Sequence, residues 1–366
     1  MITDNYYPKI GGVEYCVDAL ARHLVQKGHE VTIITRKRRH LPSFEHKGLL
    51  RIRRVSYVNM FGLLLGASLR KCFFFDKCDI IHAHSLGSPL AIFALLIAKF
   101  IKKPHVLTSH SLYRDFDKWP MKCLGKLVPH AICVSKAVVA DMQSVNKNVI
   151  THLIPNGFDV IQANQVDDCF SLGKNTGEIV IATVSRLTRK KDVSSFITIA
   201  DCLVKHFHFL KFIIIGDGPQ RKKLQKKMNT LGLTEKIHFT GTLPRPLVLS
   251  VLKQTDIFVL TSPHEAFGMV ILEAISQNIP TVAFDNNGIS DFITSGKTGY
   301  LAASLEEMVN CVIKLIENTE HRSQLAKNAA PIINHYQWDK VAEKTESVYH
   351  NVMLDLFREK PSVVLK

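Results

Sequence analysis

The stretch IFVLTSPHEAFGMVILEA, residues 257–274, turns from an apolar strand into a helix within a few residues. Its first part, residues 257–260, is a short apolar run of the kind that forms a buried parallel strand. A Thr-Ser-Pro sequence ends the run, and the pattern predicts a helix that begins near Ala266. The stretch therefore predicts one strand–loop–helix unit of an α/β fold.

Two glutamates follow this strand eight residues apart, Glu265 in the loop and Glu273 about two turns along the helix. The helix start would leave the amides of Phe267, Gly268 and Met269 without partners, and such amides suit a phosphate or a polyhydroxyl ligand. A carboxylate such as Glu273 can accept two hydrogen bonds from a diol, for example a ribose. The alternative is a helix-terminal charge with a solvated glutamate.

Five segments occur in order along the chain, and together they resemble the motifs of the retaining nucleotide-sugar glycosyltransferases of family 4. They are YPKIGGVE (7–14), TSHS (108–111), VSRLTRKK (184–191), IIGDGP (214–219) and HEAFGMVILEA (264–274). The resemblance covers essentially the whole chain, and YPKIGGVE and TSHSL are most similar to members that glycosylate phosphatidylinositol. It implies the GT-B fold, an α/β architecture in which two Rossmann-like domains with parallel sheets face a cleft.

Arg186 and Lys191 follow the apolar run at residues 179–184. A departing nucleoside diphosphate needs its developing charge neutralised, and an arginine with a lysine can do this without a metal. The resemblance implies that both residues hold the diphosphate, whereas the bare sequence also fits a plain basic loop. Relatives usually carry glycine after this lysine, where the chain has Asp192, which puts the shape of the loop in question.

The resemblance implies roles for three further side chains. Glu265 would position the hydroxyls of the donor sugar, Glu273 would hold the ribose, and His110 would orient the sugar at the reaction centre. His110 follows the apolar strand pattern at residues 105–108. A lone histidine is more often structural, and this chain has 17 of them.

Two glycine pairs lie where a backbone can approach a ligand closely. By resemblance, Gly11 and Gly12 lie over the diphosphate and the acceptor, while Gly216 and Gly218 border the pocket for the base. From sequence alone each pair is a glycine turn. The strand before Gly11 is short, since few residues precede Asp4, and we expect a weaker first sheet for that reason.

Neither a metal nor another cofactor is expected beside the donor, a nucleotide diphosphate sugar linked to UDP or GDP. His82 and His84 lie one strand period apart, but no third ligand has suitable spacing. The eight cysteines include no CxxC pair, so we interpret them as reduced thiols of a cytosolic protein.

The loop at residues 286–291, with the sequence NNGISD, departs from the family pattern. Relatives usually carry a Gly-Gly pair and a glutamate here. Gly288 remains, while Asn287 and Asp291 replace the customary residues. Asp291 offers a carboxylate with a shorter reach.

Strand and helix patterns alternate along the chain, which predicts parallel sheets with helices on both faces. We expect an N-terminal domain on the acceptor and membrane side at residues 1–160, and a nucleotide-sugar-binding domain at residues 161–335. By resemblance, residues 336–366 contain a helix that returns to the first domain, followed by a tail. The expected strands lie at residues 31–35, 79–82, 105–108, 131–134, 179–184, 212–215, 237–239, 257–260 and 281–284.

The net charge of +15 is concentrated in residues 1–160, which hold 23 Lys and Arg against 11 Asp and Glu, a net +12. This predicts an anionic partner. No nucleic-acid motif is present, so we expect an anionic membrane surface. The apolar run at residues 86–98 predicts a buried helix. The run at residues 55–69, with Phe73–Phe75 after it, fits membrane contact as well as burial.

These features predict a metal-independent, retaining glycosyltransferase, attached peripherally to the cytoplasmic face of a membrane. It would move a sugar from a nucleotide diphosphate sugar to a hydroxyl acceptor that is linked to a lipid. One alternative is a sugar-nucleotide epimerase on the same fold. Another is a non-catalytic, membrane-associated subunit that binds a nucleotide sugar.

Overall fold

The computed structural model describes residues 1–9, 11–56, 78–112, 124–159, 171–285 and 288–358. They divide into two compact units. Unit 1 comprises residues 1–157 and 338–366, and unit 2 comprises residues 158–337.

Unit 1 contains two groups of neighbouring strands. Strands β2, β3 and β1 form one group in the order β2-β3-β1, and β4 to β7 form a second group in chain order. All pairs are parallel except the hairpin between β2 and β3. The described elements are α1 (Gly12–Gln26), β1 (Val31–Arg36), β2 (Phe44–Lys47), β3 (Leu50–Val55), β4 (Ile81–His84), α2 (Pro89–Phe100), β5 (His105–Ser109), β6 (His130–Cys133), α3 (Lys136–Val145), β7 (Ile150–Leu153) and a C-terminal helix (Trp338–Arg358).

The short first strand joins these two groups. Ile2 bridges Ile34 of β1 on one side and Ala83 of β4 on the other, both in parallel. Its amide donates to the carbonyl of His82 at 2.9 Å, and the amide of His84 donates back to Ile2 at 2.9 Å. Ile2 is only 2% exposed, so its side chain enters the core as well. The first strand of the sheet, which we expected to be short, is therefore the single residue Ile2, and this residue connects the two groups of strands.

The C-terminal helix belongs to unit 1. It packs along α1, and the indole of Trp338 donates to the hydroxyl of Tyr15 at 3.2 Å. Gly157 makes room for this indole, since a Cβ there would lie 2.2 Å from the ring. The run at residues 86–98 is confirmed as core, because α2 buries most of its side chains.

Unit 2 is a single parallel sheet with the strand order β10-β9-β8-β11-β12-β13. Counted within the unit this is 3-2-1-4-5-6, the order of dinucleotide-binding folds. Its strands are almost wholly apolar because helices cover both faces. The elements are β8 (Ile179–Val184), α4 (Val193–Val204), β9 (Leu210–Ile215), α5 (Arg221–Thr230), β10 (Ile237–Gly241), α6 (Arg245–Lys253), β11 (Ile257–Leu260), α7 (Met269–Ser276), β12 (Thr281–Phe284), β13 (Tyr300–Ala302), α8 (Leu305–Glu317) and α9 (Thr319–Ala329), with 3₁₀ helices at Arg189–Lys191 and Ala330–Tyr336.

The expected strands are present, most of them within two residues of the predicted bounds. The expectation missed β2, β7 and β13, which lie at sheet edges, where the apolar signal is weak, and also β3, a central strand whose apolar residues are interrupted by arginines. The apolar run at residues 55–69 begins on Val55, the buried last residue of β3, and its remainder from residue 57 lies outside the described residues, as do Phe73–Phe75. In the described part of the chain, no helix combines the length and apolarity needed to cross a bilayer.

Candidate functional site

The centre of the unit 2 sheet is the point at which the strand order reverses. β8 and β11 are neighbours there, while the chain continues from β8 toward β9 and β10 and from β11 toward β12 and β13. In open α/β sheets, ligands bind outside the carboxyl ends of the strands at this switch point. The loops that follow β8 and β11 carry Arg186, Lys191 and Glu265, so the fold brings these predicted residues to that place.

The loop after β8 presents the two predicted cations differently. Arg186 is exposed, and Lys191 ends a short 3₁₀ helix with about a third of its side chain exposed. Asp192 then adopts a left-handed conformation, with φ 42° and ψ 47°. Such a conformation favours glycine, the residue that the resemblance led us to expect here, and is tolerated by aspartate.

Lys191 and Glu265 form an ion pair between the two loops. Nζ of Lys191 donates to Oε1 of Glu265, whose side chain is 11% exposed. The hydroxyl of Thr261 donates to the carbonyl of Asp192 at 2.9 Å, which ties the start of one loop to the end of the other. A diphosphate at this point would therefore meet a lysine whose charge is shared with the carboxylate predicted to hold the sugar.

The helix after β11 starts later than predicted, so the expectation of a start near Ala266 was wrong. α7 begins at Met269, and Gly268 is its N-cap in a left-handed conformation, with φ 83°. Phe267 precedes the cap, and its ring packs edge-on against Phe292. The glycine allows a sharp turn into the helix, which delays the first helical residue. The first-turn amides begin at Met269, and the amide of Phe267 is not among them.

Gly288 supports the loop that carries Glu265. A Cβ on Gly288 would lie 2.0 Å from the carbonyl oxygen of Glu265, so only glycine permits this backbone contact. Asp291, three residues on, is half-buried, while Asn286 and Asn287 lie outside the described residues. Burial raises the pKa of Tyr336 to about 12, and the Asp291 carboxylate adds to that effect.

Glu273 has a cation partner that the sequence did not predict. The side chain is 12% exposed, and its Oε1 accepts a hydrogen bond of 3.1 Å from Nε of Arg245, the first residue of α6. Burial raises the pKa of Glu273, and the Arg245 guanidinium opposes that rise. The guanidinium carbon lies 5.0 Å from the centre of the Phe158 ring. No motif pointed to Arg245, because it lies 28 residues before its partner.

Gly216 and Gly218 let the loop after β9 pack against the loop after β8. A Cβ on Gly216 would lie 1.9 Å from the carbonyl oxygen of Ser185, and one on Gly218 would lie 2.5 Å from that of Leu187. The amide of Leu187 donates to the carbonyl of Asp217 at 3.0 Å. This contact lies beside Arg186, so both glycines shape the predicted donor site through the backbone.

Unit 1 holds the other predicted residues. Gly11 is the N-cap of α1, and Gly12 is its first residue. The carboxylate of Glu14 occupies this helix start: a Cβ on Gly11 would lie 2.4 Å from Oε2 of Glu14. Glu14 is 6% exposed and is paired with Lys9 at 3.5 Å. An acidic side chain thus already lies at the positive end of the helix dipole.

His110 is part of a stack of three imidazoles in unit 1. Its Nε2 lies 3.1 Å from Nδ1 of His84, and the His84 ring stacks on His82 with centroids 4.2 Å apart. Nδ1 of His82 lies 2.7 Å from the hydroxyl of Tyr349 in the C-terminal helix. Burial lowers the pKa of His110 to about 4, with the Asn156 side chain opposing it, so the ring is neutral at physiological pH.

Within the described residues, no group of three or more His, Cys, Asp or Glu side chains could hold a metal ion. His82 and His84 do share a face, as their spacing predicted, and they stack. Burial lowers the pKa of both.

Comparisons with known proteins show the family to which the chain belongs. Residues 10–162 match the family described as Glycosyltransferase Family 4, and residues 164–331 match Glycosyl transferases group 1. A human relative, a subunit of the phosphatidylinositol N-acetylglucosaminyltransferase, is 30% identical over 375 residues, which cover 97% of this chain and 76% of that protein.

The chain belongs to glycosyltransferase family 4.

Two further relatives extend the comparison of this glycosyltransferase. The GPI3 subunit of the phosphatidylinositol N-acetylglucosaminyltransferase of Saccharomyces cerevisiae is 26% identical, over 96% of this chain and 82% of that protein. The α-monoglucosyldiacylglycerol synthase of Acholeplasma laidlawii is 25% identical, over 95% of this chain and 96% of that protein.

Solved structures confirm the expected GT-B fold of the glycosyltransferase. A sucrose-phosphate synthase from Thermosynechococcus elongatus superposes with a TM-score of 0.82 at 18% identity, over 97% of this chain and 98% of the other. HepE of Anabaena, solved with UDP and glucose, superposes with a TM-score of 0.79 at 19% identity, over 96% and 98%. At these identities the likeness concerns the fold alone.

Proposed function

We propose that this glycosyltransferase transfers N-acetylglucosamine from its UDP-linked form to phosphatidylinositol, with retention at the anomeric carbon and without a metal. The observation that carries the proposal is the position of Arg186, Lys191 and Glu265 on the two loops at the switch point of unit 2. Sugar and acceptor follow from the names of the human and yeast relatives, which align with nearly the whole chain.

In the proposed reaction, Arg186 and Lys191 neutralise the charge that develops on the departing diphosphate. Their charges matter most in the transition state, where the bond to the leaving oxygen is broken. Glu265 accepts hydrogen bonds from hydroxyls of the donor sugar, and the amide of Met269 lies near the phosphate. As the family resemblance implies, the leaving phosphate itself helps to take the acceptor proton on the same face.

Glu273 would hold the ribose hydroxyls, and the backbone at Gly216 and Gly218 would border the base. In unit 1, His110 would orient the donor sugar as a neutral imidazole, which can donate one hydrogen bond and accept another. The Gly11–Gly12 turn would lie over the diphosphate and the acceptor.

The acceptor proposal includes peripheral attachment to the cytoplasmic face of a membrane. Residues 1–160 carry a net charge of +12, which favours a surface rich in anionic lipid. Phosphatidylinositol is itself anionic, so the same charge would concentrate the acceptor near the enzyme.

The test is a transfer assay with the full chain, UDP-N-acetylglucosamine and vesicles that contain phosphatidylinositol, with the lipid product identified by mass spectrometry. We expect an N-acetylglucosaminyl lipid with an α linkage, formed in the presence of a chelator. Vesicles without phosphatidylinositol are the control. Conversion of the sugar nucleotide without acceptor would support an epimerase, and binding without turnover would support a non-catalytic subunit; either would contradict the proposal.

The α-monoglucosyldiacylglycerol synthase favours a second candidate, glucosyl transfer to diacylglycerol, because the match covers 96% of that protein. The same assay with UDP-glucose and diacylglycerol vesicles separates the two. Transfer to diacylglycerol but not to phosphatidylinositol would replace the first acceptor and leave the assigned donor site intact.

A further inference from the structure

Arg245 and Glu273 connect the first turn of α6 to the middle of α7. Nε of Arg245 donates to Oε1 of Glu273 at 3.1 Å, and the two side chains are 20% and 12% exposed. Among the described residues, Arg245 is the side chain that contacts this carboxylate. Oε2 of Glu273 therefore remains available to accept hydrogen bonds from a ligand.

Burial alone would disfavour the charged form of Glu273. It raises the pKa of the carboxyl, and the nearby Arg245 charge acts in the opposite direction. A protonated carboxyl would use its hydroxyl as a donor and lose acceptor capacity, whereas two ribose hydroxyls require an acceptor. The guanidinium thus favours the state of Glu273 that a diol can use.

The guanidinium is itself held in place by unit 2. Its carbon lies 5.0 Å from the centre of the Phe158 ring, which is 1% exposed and belongs to the core. A planar guanidinium over an aromatic face has less freedom than a solvated one. The hydrogen bond from Nε therefore restricts the position of the Glu273 carboxylate as well.

We propose that Arg245 is a positioning residue that holds the Glu273 carboxylate in place, and thereby makes the donor site select ribose over deoxyribose. The inference rests on the proposed function of Glu273 as the ribose acceptor. Arg245 acts through Glu273 and leaves the reacting atoms untouched.

Other titratable groups lie on the elements that pack against α7. Lys253 is at the far end of α6, and His335 and Tyr336 lie in the 3₁₀ helix Ala330–Tyr336, while β12 contributes no charged side chain. Of these groups, Arg245 is the one whose charge acts on the pKa of Glu273.

The experiment measures the dissociation constants of UDP and 2′-deoxy-UDP by calorimetry for the full-length wild type, Arg245→Gln, Arg245→Lys and Glu273→Gln. We expect the wild type to prefer UDP by about tenfold, the lower end of the range for one hydrogen bond to a charged group. Arg245→Gln should reduce the preference to less than twofold by weakening UDP binding alone. Arg245→Lys keeps the positive charge but lacks the planar guanidinium, so it should retain an intermediate preference for UDP over 2′-deoxy-UDP.

The outcomes separate the two claims. If Glu273→Gln keeps the wild-type preference, or the wild type has none, the ribose role fails and the inference fails with it. If Glu273→Gln loses the preference while the Arg245 variants keep it, the inference alone is overturned and the proposed function stands. Equal weakening of both nucleotides by the Arg245 variants would show a purely structural ion pair and would also overturn it. Arg245→Lys decides the matter if Arg245→Gln does not fold.

Discussion

At Asp192 the chain adopts a left-handed turn, a conformation that is most favourable for glycine. The left-handed conformation explains why glycine is usual there, and aspartate accepts it at a modest cost. Its carboxylate also accepts a hydrogen bond of 2.6 Å from the hydroxyl of Ser195 in α4. The turn therefore places Lys191 beside Glu265, although its sequence departs from the family pattern.

The Lys191–Glu265 ion pair predicts the direction in which a substitution of Glu265 changes the affinity for UDP. Glu265→Gln should leave UDP affinity unchanged or improve it, because the substitution removes a negative charge beside the diphosphate and releases Lys191. The transfer rate should nevertheless fall roughly 100-fold, since the donor sugar loses a charged acceptor. Calorimetry with UDP and a steady-state transfer assay measure the two effects. Weaker UDP binding in the variant would place Glu265 on the nucleotide side.

Ionisation of Glu273 should lower the stability of the fold and raise the affinity for the donor over the same pH range. Its folded-state pKa is raised, so its contribution to stability is present at low pH and is lost as pH rises through that pKa. Donor binding needs the carboxylate, so UDP affinity should rise over the same interval. In Glu273→Gln both dependences should be reduced, which chemical unfolding and UDP titration across pH would measure. A UDP affinity that falls as pH rises in the wild type, but not in the variant, would contradict the assigned charge state.

At the scale of elements, the site depends on close contacts between loop backbones. Gly216 approaches Ser185, Gly218 approaches Leu187, and Gly288 approaches Glu265. These contacts join the loops after β8 and β9, and the loops after β11 and β12, at the carboxyl ends of the strands. In this region the glycines are required by packing, whatever ligand lies beside them.

Gly216→Ala should therefore destabilise the protein by about 3 kcal/mol, because φ is 135° and the new Cβ would lie 1.9 Å from a carbonyl oxygen. Gly232→Ala is the matched control, since φ is 68° there and nothing lies within 4 Å of the added Cβ. It should cost about 1 kcal/mol, the cost of the left-handed conformation alone. Chemical unfolding compares the two variants. Equal losses would mean that the loop relaxes freely around Gly216.

Much of the fold was predictable because its signals are local. The apolar runs at Ile179–Val184, Ile257–Leu260 and Thr281–Phe284 have the predicted bounds, since buried parallel strands are continuous apolar segments. β2 and β7 were missed because their side chains are exposed or only half-buried at sheet edges, and β3 was missed because arginines interrupt its apolar residues. The later start of α7 depends on the left-handed Gly268, and a sequence does not reveal the sign of φ.

The candidate site was predictable where a motif carries it and hidden where tertiary contacts create it. Arg186, Lys191 and Glu265 come from recognisable segments. Arg245 meets Glu273 only after α6 and α7 pack together, and the partners of His110 come from neighbouring strands. Such contacts join residues that are 26 to 28 positions apart, beyond any local pattern.

At the scale of the whole molecule, both units follow the doubly wound plan, and the predicted residues follow strand ends in each. The charge is uneven along the chain, since residues 1–160, which contain most of unit 1, hold +12 of the net +15. Charge asymmetry of this kind bears on partners and association. This asymmetry is the basis for proposing membrane attachment by the first unit and donor binding by the second.

The protein should bind vesicles that contain anionic lipid and dissociate as salt rises, because exposed charges are screened within about 10 Å at 0.1 M salt. Replacing Phe73, Phe74 and Phe75 with serine, at positions outside the described residues, should weaken binding at every salt concentration and leave UDP affinity unchanged. Flotation of the wild type and the variant measures this. If the wild type does not bind anionic vesicles at low salt, the prediction is wrong and the basic residues serve another anion.

In the proposed function, the cations at the switch point of unit 2 hold the diphosphate without a metal. Titration of UDP in excess chelator, into the wild type, Arg186→Gln and Arg189→Gln, tests it most directly. Both arginines are exposed and lie in the same loop, so Arg189→Gln is the matched control. We predict tight binding by the wild type in chelator, a loss of about tenfold or more for Arg186→Gln, and less than twofold for Arg189→Gln. Equal affinities of all three proteins, or binding that requires added magnesium or manganese, would contradict the account.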